Sequence, residues 1–400
     1  MLAFGKARHG VAEGWRSALP AGVKIWYALT SAYVLMRYLL AVQAGGHVWI
    51  TGDWLLNWRA GFMRRGLTGS LTYNLADLTG IDPLYIVTAM QVAIFLALAW
   101  AVLHMLNRIE ITIPVALLVL SPAFLMPFSI VKQAMSKEMI GFLALAILAL
   151  RAFGHGRWTL WAAVAIFAFG SLAHEINAFL APHALALLAV LVLVGRIGRR
   201  EALATGLAIV AIALGAIVVA MIWNGAGLGA AVCQVMLDYG GRPDFCGTDG
   251  PTIWLDRDMA YGMEFTWDVN VVTGVWPWFV LGFLLSMLPF CLFRLTGESR
   301  LAQSWLPVLC AGMAIVVLGP LFVIASDWGR WISMHVTALT FLAFAALRLG
   351  QIEPSPRITS PVWLLYGAIW AMPDFGEPLT TGLLQKALSL GAHLRHFTGG

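Results

Sequence analysis

Charge is scarce in this chain. Asp, Glu, Lys and Arg make up only 11% of its 400 residues, where a soluble protein carries about 25%. Hydrophobic residues make up 60%, too much apolar surface for one water-soluble core. Cysteine is also sparse, with 4 residues, and no His or Cys spacing fits a zinc site. No basic stretch interleaves with aromatics on a soluble face. The net charge of +5 therefore points to Lys- and Arg-rich cytoplasmic loops rather than to nucleic acid. No internal repeat, low-complexity tract or soluble domain is evident. Residues 1–23 carry Lys6, Arg8, His9 and Arg16 without a continuous apolar run. They read as a short cytoplasmic lead-in, not a cleavable signal.

Apolar runs are what the chain has in abundance. Eleven read as spans: 24–44, 83–105, 112–131, 139–153, 158–173, 176–195, 202–223, 270–293, 304–325, 331–348 and 360–373. The expected fold is all-α, a polytopic integral membrane helical bundle of about 11 transmembrane helices forming a single domain over 1–400. A straight crossing takes about 20 residues, so the fourth and fifth runs are short for the task. Only His174-Glu175 separates the fifth from the sixth.

Positive charge chooses the orientation. With the N-terminus inside, more than half of the 25 Lys and Arg fall in inner segments, including Arg196 to Arg200 and Arg294 to Arg300. Those segments hold only Glu13, Glu110, Glu201, Glu298 and Glu353 among the acids. This fits the positive-inside rule, and an odd span number puts the C-terminus outside. Two long outer loops follow, 45–82 and 224–269. Within the first, Trp54, Trp58 and Phe62 fall at i, i+4 and i+8, which predicts an interfacial amphipathic helix from Trp54 to Thr72. Cys233 and Cys246, both in the second loop, are expected to form a disulfide in an oxidising exterior.

With this threading the chemically versatile residues share one side. Three outer-loop arginines, Arg59, Arg64 and Arg65, run against the charge trend. They serve either general lipid phosphates or the phosphate of a specific lipid-linked ligand, which the planar guanidinium fork suits. Asp53 is either a general base or an N-cap of the interfacial helix. Lys132, Lys137 and Glu138 follow the third span, His174-Glu175 the fifth, and Asp327 with Arg330 the ninth. Each group has a plain reading as a neutralising pair or solvated turn, but three separate outer turns carry such insertions. His174 titrates near neutrality and is either catalytic or a satisfied interfacial histidine. Asp256-Arg257-Asp258 offers two carboxylates, enough for a divalent cation or simply for a hydrophilic surface. Arg37, inside the first span, either snorkels outward or pairs with an acid such as Asp327. The 18 Trp fit an aromatic belt and are compatible with a saccharide cleft.

This layout resembles the GT-C superfamily of membrane glycosyltransferases, and is similar to Wzy-type O-antigen and exopolysaccharide polymerases. The carrying features are the multi-span bundle, the long first outer loop, and the acid of Gly52-Asp53-Trp54 just past the first span. The resemblance implies a polyprenyl-phosphate-linked sugar donor, a glycan or lipid acceptor, and a bacterial inner-membrane location. It implies Asp53 as base for the acceptor hydroxyl, and Arg59, Arg64, Arg65 and Arg330 as the cations that hold lipid phosphate. The loop acid here is single, where the superfamily commonly has an acidic pair, so no metal is specified. The competing expectation is a transporter or flippase of an anionic lipid or small solute; such proteins usually place polar groups near the bilayer midplane.

Overall fold

The computed structural model describes residues 3–247 and 250–373. Among them the chain is built of helices: α1 (Ala3–Gln43), α2 (Ile50–Trp54), α3 (Leu67–Thr79), α4 (Pro83–Leu106), α5 (Ile113–Leu120), α6 (Pro122–Ser129), α7 (Val131–Ala134), α8 (Glu138–Ala149), α9 (Trp158–Ala173), α10 (Ala181–Leu193), α11 (Arg199–Ile222), α12 (Gly229–Asp238), α13 (Met259–Thr266), α14 (Trp276–Met287), α15 (Leu306–Ile324), α16 (Trp328–Arg348) and α17 (Tyr366–Ile369). Short 3₁₀ turns link several of them, and one antiparallel pair of three-residue strands, β1 (Phe293–Leu295) and β2 (Ile352–Pro354), sets Arg294 opposite Glu353.

Six helices among the described residues are long and apolar enough to cross a membrane. They become seven if Met259–Val272 and Trp276–Leu292, bent by 84°, count as one span. The protein is an all-α, multi-pass membrane protein. Not every expected run is one straight helix. Residues 112–131 are broken into α5, α6 and α7. Ser121, next to Pro122, adopts ψ 125°, because the proline ring disfavours helical geometry in the residue before it. Residues 360–373 hold only a 3₁₀ turn (Pro361–Leu365) and the four-residue α17. This segment folds against α5 instead of crossing as a helix: Tyr366 is buried and donates to the Leu285 carbonyl at 2.7 Å, and a Cβ on Gly367 would lie 2.5 Å from the Leu120 carbonyl oxygen.

The best-formed ends follow simple capping chemistry. Asp82 accepts from Leu84 N at 2.7 Å and Pro83 opens α4, the usual acid-then-proline start. α8 and most of α16 are buried, whereas α11 and α15 expose Leu207, Leu214, Val308 and Val316, as lipid-facing helices do. In hydrocarbon, helix association depends on close packing. Gly170 provides it, since a Cβ there would sit 2.9 Å from Ile140, and this lets α9 lie against α8.

The segment 45–82 departs from its expected form. No helix forms over residues 55–66. Trp54 ends α2, is fully buried and donates its indole N–H to the Met135 carbonyl at 3.0 Å. Gly61 at φ 146° and Arg65 at φ 65° are incompatible with a continuous helix. Asp53 lies inside α2 and is no N-cap; His47 Nδ1 instead accepts from Trp49 N at 3.2 Å at the start of that helix. The second loop folds over the first. Phe245, Val232, Met236 and Leu255 bury Trp54, Met63 and Tyr73 in a cluster separate from the main core. Arg242 donates to the Ala44 and Gly46 carbonyls, both at 3.1 Å. Cys233 and Cys246 are joined by a disulfide, which ties α12 to this cap.

Candidate functional site

Five segments far apart in sequence meet at the end of the bundle beneath the cap. They are α2 with Asp53, the turn before α3 with Arg64 and Arg65, the start of α8 with Lys137 and Glu138, the α9–α10 junction with His174 and Glu175, and the start of α16 with Asp327 and Arg330. Glu175 holds both loop arginines. Arg64 Nη1 lies 3.1 Å from its Oε1, and Arg65 donates through Nε at 3.0 Å and Nη2 at 2.6 Å to the same oxygen. Lys137, fully buried, stands 3.3 Å from Asp53 and donates to the Arg65 carbonyl at 3.0 Å. Arg330 bridges Glu138 at 3.2 Å and Asp327 at 3.1 Å.

Local structure explains how the turns hold these groups. Arg65 is the only non-glycine residue at positive φ among the described residues. Such backbone persists where surrounding contacts over-determine it. Here Arg64 N is bonded to the Trp223 carbonyl at 2.7 Å, and a Cβ on Gly66 would run into the Trp58 ring. Below the charges lie two fully buried amides. Gln91 on α4 donates to the carbonyls of Ile50 at 3.1 Å and Met135 at 2.7 Å, fixing α2 against the turn that carries Lys137. Asn177 accepts from Gly141 N at 3.1 Å and donates to the carbonyls of Lys137, Gly170 and His174. Neither amide was singled out from sequence. Both are lone amides within or beside apolar runs, and that isolation was the available signal.

The named charges balance: Arg64, Arg65, Lys137 and Arg330 against Asp53, Glu138, Glu175 and Asp327. Burial pushes the Lys137 ammonium down from its ordinary value, and the Asp53 carboxylate opposes that shift. Burial, reinforced by Arg65, pushes His174 down to about 4, so its imidazole is neutral at physiological pH. Beside the arginines a narrow crevice of ≈ 10 Å³, room for about one water, opens between the ends of α9 and α11, lined by Ser171, Leu172, Ala216, Val219 and Ala220. It places apolar and small side chains directly below two guanidiniums and one carboxylate.

Some expected site residues lie elsewhere. Arg59 pairs with Asp77 and donates to the Tyr239 hydroxyl at 2.6 Å on the exposed surface. Lys132 is not in the ion-pair network; its charge acts on His47, whose imidazole is lowered by burial and then by Lys132. Arg37 donates to Tyr33 Oη at 3.2 Å rather than pairing with Asp327. Asp256 accepts from Gly227 N at 2.7 Å, and Asp258 caps α13 through Tyr261 N at 2.8 Å, so both carboxylates serve loop structure. Among the described residues no three His, Cys, Asp or Glu side chains come together as a metal cage. Family models, curated proteins and solved structures give no significant match to this chain.

Proposed function

We propose that this protein is a membrane glycosyltransferase or glycan polymerase that uses a polyprenyl-phosphate-linked sugar donor at the outer face of a bacterial inner membrane. One observation carries the proposal: Arg64, Arg65 and Glu175 line a narrow crevice between the apolar ends of α9 and α11, with the Asp53–Lys137, His174–Glu175 and Arg330–Glu138 pairs in the adjoining network. A lipid-linked phosphate suits that combination, with the chain kept in hydrocarbon and the headgroup met by cations at the interface. In glycosyl transfer the acceptor oxygen bonds to the anomeric carbon as the carbon–phosphate oxygen bond breaks. The acceptor loses a proton to a base, and the departing phosphate gathers negative charge. Asp53 is the base in this scheme, Arg64, Arg65 and Arg330 receive the phosphate, and His174 and Glu175 face the donor or acceptor.

The cytoplasmic placement of the N-terminus belongs to the same proposal. It is supported by Arg108, Arg151, Arg300 and Arg348 gathering at the end opposite the site, as the positive-inside rule favours. The scheme does not need an eleventh crossing. Glycan analysis of cells producing Asp53→Asn tests the base assignment: loss of the polymer or glycan product is expected, and wild-type product at a normal protein level overturns it.

A transporter of an anionic lipid or solute has one observation in its favour. His183 on α10 and His335 on α16 are buried in the bundle, with Nε2 and Nδ1 3.0 Å apart, and ionisable groups at depth often mark transport pathways. Transport of a lipid-linked glycan that survives Asp53→Asn and fails in His183→Phe would favour that second function.

A further inference from the structure

Glu175 belongs to two contacts at once. It holds Arg64 and Arg65, and its Oε2 lies 3.6 Å from His174 Nδ1. That imidazole nitrogen accepts from the Ile176 backbone N–H at 3.3 Å. It therefore carries no proton in this state, and the ring is the neutral tautomer with its hydrogen on Nε2. Besides Glu175, the charged groups acting on the ring are Arg65 from the first outer loop, Glu138 from α8 and Asp53 from α2. The ring is thus poised between two partners. Neutral, it receives an N–H from Ile176; protonated, it would present an N–H to Glu175.

The named charges around it already balance. A phosphate drawn to Arg64 and Arg65 adds negative charge to a mostly buried region, and it takes guanidinium N–H groups away from Glu175. A buried carboxylate that loses its cations needs another. His174 is the nearest group able to supply one, by taking a proton on Nδ1.

Resting on the phosphate-binding function proposed above, we infer that occupation of Arg64 and Arg65 by a lipid-linked phosphate is coupled to uptake of one proton by His174, which then stands as an imidazolium against Glu175. The proton comes from solvent and lands on Nδ1; the Ile176 N–H is released and no bond of the ligand changes. A proton donor is thereby created only when the site is filled, and it empties with the site. Catalysis by an imidazolium would then be confined to the occupied enzyme.

Calorimetry on the full chain in lipid nanodiscs, with farnesyl phosphate as the probe, reads this coupling directly. Binding heats in two buffers of different protonation enthalpy, at about pH 6.5, give the protons taken up per ligand. The variant is His174→Asn, whose side-chain oxygen can still accept from Ile176 N; His174→Gln replaces it if folding fails. Subtracting variant from wild type removes the titration of the ligand itself. The wild type is expected to take up about one proton more than the variant. Equal proton counts in two proteins that both bind overturn the coupling while leaving phosphate binding intact. If folded wild type does not bind the probe, or Arg64→Gln/Arg65→Gln binds it equally well, phosphate binding itself is overturned and the coupling with it.

Discussion

The two ends of the bundle differ in what several of their arginines hold. At the end beneath the cap, guanidiniums meet carboxylates: Arg64 and Arg65 on Glu175, Arg330 on Glu138 and Asp327. At the far end several meet backbone carbonyls, while Arg294 pairs with Glu353 at 2.8 Å and Arg157 with Glu201 at 3.5 Å on the exposed surface. Arg108 donates to Phe153 at 3.0 Å, Arg151 to His155 at 2.6 Å and Arg196 at 2.8 Å, Arg300 to Leu193 at 3.0 Å, and Arg348 to Arg108 at 3.3 Å. Carbonyls at helix C-termini lack intrahelical donors and carry the negative end of the dipole. In these bonds Arg108, Arg151, Arg300 and Arg348 are held by carbonyls alone. Arginine held by a carboxylate is oriented but exchangeable, because a second anion can take the same N–H groups.

The largest way to break this contrast is Glu175→Ala. It leaves two mostly buried guanidiniums without their carboxylate and is expected to cost about 3–5 kcal/mol, read as a fall in Tm in detergent; a loss below 1 kcal/mol would show that Glu175 does not organise the arginines. Next comes the Lys137–Asp53 pair. Lys137→Met alone and Asp53→Asn alone should each destabilise by roughly 2–3 kcal/mol, and the double variant by clearly less than their sum, since each single change strands the partner. Additive losses in the same unfolding assay would deny the coupling.

A third effect appears only on acidification. His174 is at about 4 in the folded chain, below its ordinary value near 6.5. The unfolded chain therefore binds more protons between those values, and the stability contributed by the neutral ring is lost as pH falls through that window. Wild-type Tm should drop more steeply than that of His174→Asn between about pH 6.5 and 5; parallel profiles would place the ring in water. The smallest effect belongs to the far end. Arg348→Gln should cost about 1 kcal/mol or less and leave glycan product unchanged. A loss of product at full protein level would erase the distinction between the ends.

Much of the site could be read from the chain because the membrane makes charge conspicuous. Lys137-Glu138, His174-Glu175 and Asp327 with Arg330 each interrupt an apolar run, and all of them meet in space. Arg59 shows the limit of that reasoning. It has the composition and side of a site residue, but Asp77 and Tyr239 capture it at the surface. The helix expected over 54–72 forms only from Leu67 onward, for a related reason. The tryptophan spacing has a helical period, yet burial of Trp54 against Met135 and the positive φ of Arg65 decide the backbone, and both depend on partners distant in sequence. Gln91 and Asn177 were legible only as oddities, since an amide in an apolar run does not announce which carbonyls it will bind.

The Arg330–Glu138 bridge joins residues 192 positions apart, and this imposes an order on biosynthesis. Glu138 is made and threaded first. At about 5–20 residues per second, ribosomes reach Arg330 roughly 10–40 s later. Throughout that interval Glu138 lacks its Arg330 bridge. The bridge therefore forms only once the start of α16 has been made.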